Sequence, residues 1–246
     1  MRLIFPFLFL LGVLAISCKK TESLSYLPLT EYFPLKAGKT FTYRMDSTLT
    51  TPFGSGFVTK HFLAKDSVES QFTDVHGRPS FRIWRFIRDT LQTQPWTYSS
   101  TIIATIDHKN EWIEYVENNL RFIKLRQPLS EGFSWSGNSF IDTKGANTAV
   151  RFMDEWDYTY QDLHQPFTVR KGTFDSTITV LQADEVDPPG PFDPQFYQQS
   201  IYSVEVYAKG VGMIYKELMY KTWQTVPRGY WTDDSYGIKL SLIDYK

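Results

Sequence analysis

Cysteine is nearly absent from this 246-residue chain: Cys18 stands alone. A lone cysteine excludes an intramolecular disulfide, so the fold rests on its core. Histidine is scarce as well. His61, His76, His108 and His164 are isolated, with no His-Glu-x-x-His and no second cysteine to complete a zinc set. No Gly-x-Ser-x-Gly elbow marks a nucleophile, and no Asp-x-Asp-x-Asp-Gly loop marks calcium. Gly210-Val211-Gly212 lacks the third glycine and following helix of a phosphate-binding loop and is expected to be a strand bend or bulge. From these absences we expect no metal, no cofactor and no enzymatic activity. An excess of positive charge is also missing: 26 Lys and Arg face 27 Asp and Glu. With signs interspersed, there is no basic stripe to neutralise phosphates, which argues against nucleic acid as a partner.

A long apolar run is the last absence, and its short substitute is informative. Arg2 supplies a positive charge, Leu3 to Ile16 are apolar apart from Pro6 and Gly12, and the small residue Ser17 follows. That layout is a signal peptide over residues 1–17. Fourteen positions fall short of the roughly 20 that a helix needs to span a bilayer core, so the mature chain is expected to have no transmembrane helix. Leu14-Ala15-Ile16-Ser17-Cys18 resembles the lipobox of bacterial lipoproteins, with Ala15 where Leu is commonest. The resemblance implies diacylglyceryl attachment and palmitate at Cys18, hence a membrane-anchored protein of the cell envelope. Two or more acyl chains hold a protein durably, and Lys19 and Lys20 add attraction to anionic headgroups. Lys19 stands where Asp would retain such a protein in the inner membrane, which points to the outer membrane. Residues 18–30 read as the lipidated tether and 31–246 as one globular domain.

Within 31–246, helical periodicity is scarce and period-two alternation is widespread. Tyr202, Val204, Val206 and Ala208 share one face, against Ser203, Glu205, Tyr207 and Lys209. Ile238, Leu240 and Leu242 alternate with Lys239 and Ser241, and Ile178 and Val180 with Thr177 and Thr179. Such runs, rich in β-branched and aromatic residues, predict antiparallel strands. In Phe81 to Arg88 both faces are partly apolar, Phe81, Ile83 and Ile87 against Trp84 and Phe86. The expected architecture is all-β: one antiparallel, strongly curved, half-barrel-like sheet in a single domain. Glu117-Asn118-Asn119-Leu120 predicts a hairpin between 112–116 and 121–126. Asp187 to Pro194, with four prolines, predicts an exposed loop. Gly54-Ser55-Gly56 reads as a turn.

A weak repeat spells Pro-Leu-x-x-Gly-x-x-aromatic at Pro34 to Phe41 and at Pro128 to Trp135. It reflects two similar half-sheets or convergent turn chemistry. With Tyr32-Phe33-Pro34-Leu35, Gly172-Thr173-Phe174 and Tyr207-Ala208-Lys209-Gly210-Val211-Gly212, it resembles motifs of a loose set of Bacteroidota lipoproteins of unknown function. The resemblance implies a half-barrel-like sheet and no activity.

The remaining candidates are carboxylates and aromatics. Asp154-Glu155-Asp157, Asp184-Glu185-Asp187 and Asp233-Asp234 are expected to be solvated turn acids; weak calcium binding and glycan hydrolysis by paired acids are the alternatives. The seven tryptophans are expected chiefly as core packing. Tyr230 and Trp231, flanked by Gly229 and Asp233 in an expected loop, are the pair predicted to be exposed and to bind a ligand. The functional expectation is a non-enzymatic envelope lipoprotein that binds or scaffolds, presenting an aromatic-lined concave face to a lipid, a glycan or an envelope protein. An envelope glycan hydrolase and an adhesin-like surface protein are the alternatives.

Overall fold

Alternating side chains cannot be buried on one flat sheet of this length without exposing long edges, and the chain solves this by curling the sheet nearly shut. The computed structural model describes residues 27–109, 111–145 and 149–246. The signal peptide, Cys18 and most of the tether lie outside the described residues. Among them no helix is long and apolar enough to cross a membrane.

The strands are β1 (Thr40–Thr50), β2 (Phe57–Thr73), β3 (Pro79–Asp89), β4 (Thr97–Asp107), β5 (Trp112–Glu117), β6 (Leu120–Arg126), β7 (Ser134–Ser136), β8 (Asp157–Val169), β9 (Gly172–Asp187), β10 (Gln198–Ala208), β11 (Gly212–Gln224), β12 (Tyr230–Trp231) and β13 (Tyr236–Tyr245). Their order across the antiparallel sheet is β6-β5-β4-β3-β2-β1-β13-β11-β10-β9-β8-β7, with the short β12 appended to β11. Two successive six-stranded meanders, β1 to β6 and β7 to β13 without β12, are thus joined through β1 and β13. Each meander is entered through one copy of the Pro-Leu-x-x-Gly repeat. Gly38 and Gly132 take the positive φ that such a turn needs, 87° and 74°. Of the two readings of the repeat, the strand order favours two similar half-sheets.

The outer strands of the two meanders meet, bringing the sheet close to a closed barrel. The Ile123 amide donates to the Gly137 carbonyl at 2.8 Å, and Trp135 Nε1 donates to the Ile123 carbonyl at 2.8 Å. Tyr160 of β8 accepts from the Arg126 amide and donates to the Arg126 carbonyl. Trp135, Tyr158 and Tyr160 pack together along this seam, all buried.

One end is stoppered by the segment before β1. Leu29, Tyr32 and Phe33 are buried, Phe33 packs against Tyr115 and Tyr207, and the Gly210 amide donates to the Glu31 carbonyl. The globular part therefore begins earlier than residue 31, since Leu29 already belongs to the core. The other end is crossed by the chain between β7 and β8, where Phe152 stacks on Tyr220 at 4.4 Å and Met153 is buried.

The Asn118-Asn119 hairpin forms with both residues at positive φ, as a primed two-residue turn requires. The proline-rich segment between β9 and β10 is exposed. Gly210-Val211-Gly212 is the turn between β10 and β11, with a register shift beside it at Val206 and Tyr207, rather than a bend within one strand.

Candidate functional site

The barrel interior is where the charges are least expected and most organised. Along β3 the inward set is Phe81, Ile83, Arg85 and Ile87, so a guanidinium stands among aliphatic neighbours. Its Nε and Nη2 each lie 2.7 Å from an Asp66 carboxylate oxygen, a bidentate pair across β2 and β3, and its Nη1 donates to Glu117. Lys216 of β11 lies 3.8 Å from Glu117 and 3.5 Å from Glu205. Glu205 of β10 accepts from Lys124 Nζ at 2.6 Å and from the Tyr207 hydroxyl at 2.6 Å. Three acids and three bases thus form an unbroken chain from β2 through β3, β5, β11 and β10 to β6, spanning both meanders with no net charge.

Burial and pairing compete at each member. Burial would raise the Glu205 carboxyl, but Lys124, Lys216 and the Tyr207 hydroxyl outweigh it and hold it down at about 2. Burial would likewise raise Glu117, and Arg85 and Lys216 bring it below the usual range. Arg85 and Lys216 are held above their usual values, the carboxylates outweighing desolvation. Burial pulls Lys124 down, Glu205 opposes this through a 2.6 Å hydrogen bond, and Lys216 adds to the fall.

This ionic layer divides the interior. On the stoppered side, Phe33, Leu35, Phe41, Tyr43, Tyr115, Tyr207 and Met213 leave a cavity of about 40 Å³, space for about three waters at ~10–15 Å³ each. On the other side a cleft of about 360 Å³ remains. Its walls are Met45, Ile87, Leu120, Phe122, Leu218 and Leu240, its floor is Arg85, Glu117 and Lys216, and its mouth is set by Ser99, Asn118, Tyr236 and Ile238. Burial is graded along it: Phe122, Leu218 and Leu240 are buried, Tyr236 and Ile238 half-buried, and Ser99 and Asn118 exposed.

A second concavity, of about 730 Å³, lies outside the barrel. Since Ile113, Tyr115 and Glu117 of β5 point inward, Trp112 and Glu114 occupy the outer face. Glu114, 3% exposed, accepts from Trp112 Nε1 at 2.9 Å, from Arg78 Nη1 at 2.8 Å and from both Nε and Nη2 of Arg121. Burial would raise its carboxyl; these donors bring it below the usual range. Arg78 also binds Asp107 at 2.9 Å and Asp74 at 2.8 Å. Phe140 lies under the Arg121 guanidinium at 3.8 Å and edge-on to Trp112 at 6.2 Å.

The predicted aromatic pair sits elsewhere. Tyr230 and Trp231 are not in a loop but form β12, paired with Gln224 and Trp223. They are half-buried, not exposed, because Trp231 stacks on Phe192 at 5.2 Å and packs against Phe57 and Trp223. Gly54 of the β1–β2 turn presses on this strand so closely that a Cβ there would meet the Trp231 carbonyl oxygen at 2.2 Å. The exposed apolar side chains at this end are Phe53, Phe192, Phe196 and Val226. Nor do most tryptophans pack the core: only Trp135 and Trp156 are buried, while Trp84, Trp96, Trp112, Trp223 and Trp231 keep exposed surface. The interior carries aromatic rings on the stoppered side, Phe33, Phe41, Tyr43, Tyr115 and Tyr207, while the cleft beyond the ionic layer is walled mostly by aliphatic side chains.

The candidate acids are spread over separate elements. Asp154 follows a short 3-10 turn and accepts from Thr143, Asp184 and Glu185 lie on β9, and Asp233 and Asp234 are exposed beyond β12. Burial raises the Glu185 carboxyl above its usual range. His61 Nδ1 lies 2.7 Å from an Asp46 carboxylate oxygen.

Sequence reasoning missed the ionic chain, although the signal was present. Arg85 between Ile83 and Ile87, and Lys216 between Ile214 and Leu218, are charges at the inward beat of an apolar alternation. Glu205 was hidden because Ser203, Glu205 and Tyr207 read as the polar face, yet 203–208 are buried throughout.

No protein-family model and no curated protein matches the chain. Two solved structures are similar to it. One is a Bacteroides fragilis protein described as exported, with a YMCC-like fold, at 8% identity over 90% of this chain and 98% of that one, with a TM-score of 0.42. The other, from Parabacteroides distasonis and described as a lipoprotein, is 12% identical over 87% of this chain and 98% of that one, with a TM-score of 0.35. Likeness of this degree carries nothing about activity or partners.

Proposed function

We propose that the protein is a lipid-anchored binding protein of the cell envelope, held at the outer membrane through Cys18, that takes an apolar ligand such as an acyl chain into the barrel mouth without turning it over. The observation that carries this reading is the cleft of about 360 Å³ between the ionic floor and the Tyr236–Ile238 rim. Its size falls in the ~300–1,000 Å³ range of small-molecule sites, and its lining combines an apolar wall with a few convergent polar groups. An acyl chain along Leu218, Leu240, Met45 and Phe122 gains about 0.8 kcal/mol for each methylene it removes from water. Arg85 and Lys216 in the floor are already matched by Asp66, Glu117 and Glu205, so the apolar wall carries the binding.

Fluorescence titration with an anthroyloxy-labelled fatty acid tests this reading. Saturable binding to the wild type is expected, and Leu218→Trp, which fills the cleft, should abolish it while the far-ultraviolet circular dichroism stays unchanged. A wild type that gives no saturation would overturn the reading. The anchor is tested separately by metabolic palmitate labelling, which Cys18→Ala should eliminate.

A further inference from the structure

We infer that the outer groove of about 730 Å³ is a second, independent binding site, and that its ligand is an anionic saccharide. Three observations converge on that class. The first is an aromatic corner: Trp112 and Phe140 meet at 74°, and Phe140 keeps 44% of its surface exposed. Two rings at an angle offer apolar faces to the C–H faces of adjacent sugar rings. The second is the planar, fork-shaped polar groups beside those rings, Arg78 and Arg121, fixed in place by Asp107 and Glu114. The carboxylates take the Nε–Nη2 fork of Arg121 and the Nε and Nη1 of Arg78, which leaves the other N–H edge of each guanidinium, already oriented, for ligand oxygens.

The third observation is the sign of the charge that solvent sees. Both acids of the lining are buried beneath the arginines, with side chains 5% and 3% exposed. The rim groups His76, His108 and Lys109 are exposed, and none makes a side-chain hydrogen bond or ion pair among the described residues. The charges that reach solvent in the groove are therefore Lys109 and the outer edge of Arg121, above an aromatic floor, while Asp74, Asp107 and Glu114 lie beneath the arginines. A neutral sugar leaves Lys109 unmatched, a bare phosphate leaves the Trp112–Phe140 corner unused, and an acyl chain gives the polar edges of the arginines no partner. An acidic sugar satisfies all three.

The full mature chain is titrated by calorimetry with trigalacturonate, glucose 6-phosphate, galactotriose, inorganic phosphate and phosphatidylglycerol vesicles. Saturable binding of trigalacturonate or glucose 6-phosphate is expected, at least about tenfold tighter than galactotriose or phosphate. Phe140→Ala and the double variant His108→Ala/Lys109→Ala should each weaken it about tenfold, since all three residues are exposed at the groove. Binding of the labelled fatty acid should be unaffected in both variants, so a failure here is distinct from a failure of the cleft reading. Equal affinity for galactotriose, equal affinity for phosphate, binding of vesicles alone, or no saturation by either acidic sugar would each overturn the inference.

Discussion

The protein holds two assemblies of charge, one inside the barrel and one on its outer wall, and they differ in how completely the charges answer one another. Inside, Asp66, Arg85, Glu117, Lys216, Glu205 and Lys124 are mutually paired, and the space on the stoppered side is too small for anything but water. Outside, Glu114 and Asp107 are equally buried beneath the arginines that pair with them, while Lys109 stands exposed at the rim with no side-chain partner among the described residues. A saturated network can stabilise one geometry and has nothing left with which to bind. An unsaturated one beside a roomy groove has donors to offer. The same residue types serve structure in one place and recognition in the other.

Breaking the inner network should give the largest effect. Glu205→Ala strips the carboxylate from two buried ammonium groups and is expected to cost about 3–5 kcal/mol, the usual penalty for an uncompensated buried charge. Thermal denaturation followed by circular dichroism should show a fall in Tm of roughly 6–20 °C for a domain of this size. A loss under ~1 kcal/mol would mean that the chain of pairs is not a unit.

Acid should do the same reversibly. Glu205 titrates near 4.5 when unfolded and about 2 when folded. Its contribution, roughly 3 kcal/mol, is therefore complete above pH ~4.5 and is lost as pH falls toward 2. Denaturant midpoints measured across that window should slope downward with acid in the wild type. In Glu205→Gln the slope should be visibly shallower, and an unchanged slope would assign the acid sensitivity to other carboxylates.

Arg78→Ala sharpens the comparison, because Arg78 ties three acids of the outer groove together, Asp74, Asp107 and Glu114. It leaves Glu114 and Asp107 with fewer donors and should cost about 1–3 kcal/mol by chemical denaturation. The smallest effect belongs to the groove rim: His108→Ala/Lys109→Ala should change stability by no more than about 0.5 kcal/mol in the same assay. A larger loss would show that the rim is structural.

Much of the architecture was legible because it is local. Period-two alternation marks strands whatever they pair with, Asn118-Asn119 dictates a primed turn, and prolines between 187 and 194 cannot join a ladder. The recurrence of Pro-Leu-x-x-Gly before each meander was visible too, although only the strand order shows what it divides. Tryptophan positions were misjudged because an aromatic at a strand position packs equally well inward, under a crossing loop as Trp156 does, or around an outer concavity as Trp112 does.

What the sequence by itself determined is the class of the fold, the placement of most turns, and the expectation of a leader cleaved between Ser17 and Cys18. Only the tertiary structure decided which charges are inside. Lys124 and Glu205 are 81 positions apart and meet only because the two meanders join through β1 and β13 and curl into one barrel. Alternation assigns a side chain to one of two faces, but it carries no information about which face the barrel encloses. Nor does it say where a partner of opposite sign will stand, since pairing a buried charge depends on residues brought together by closure.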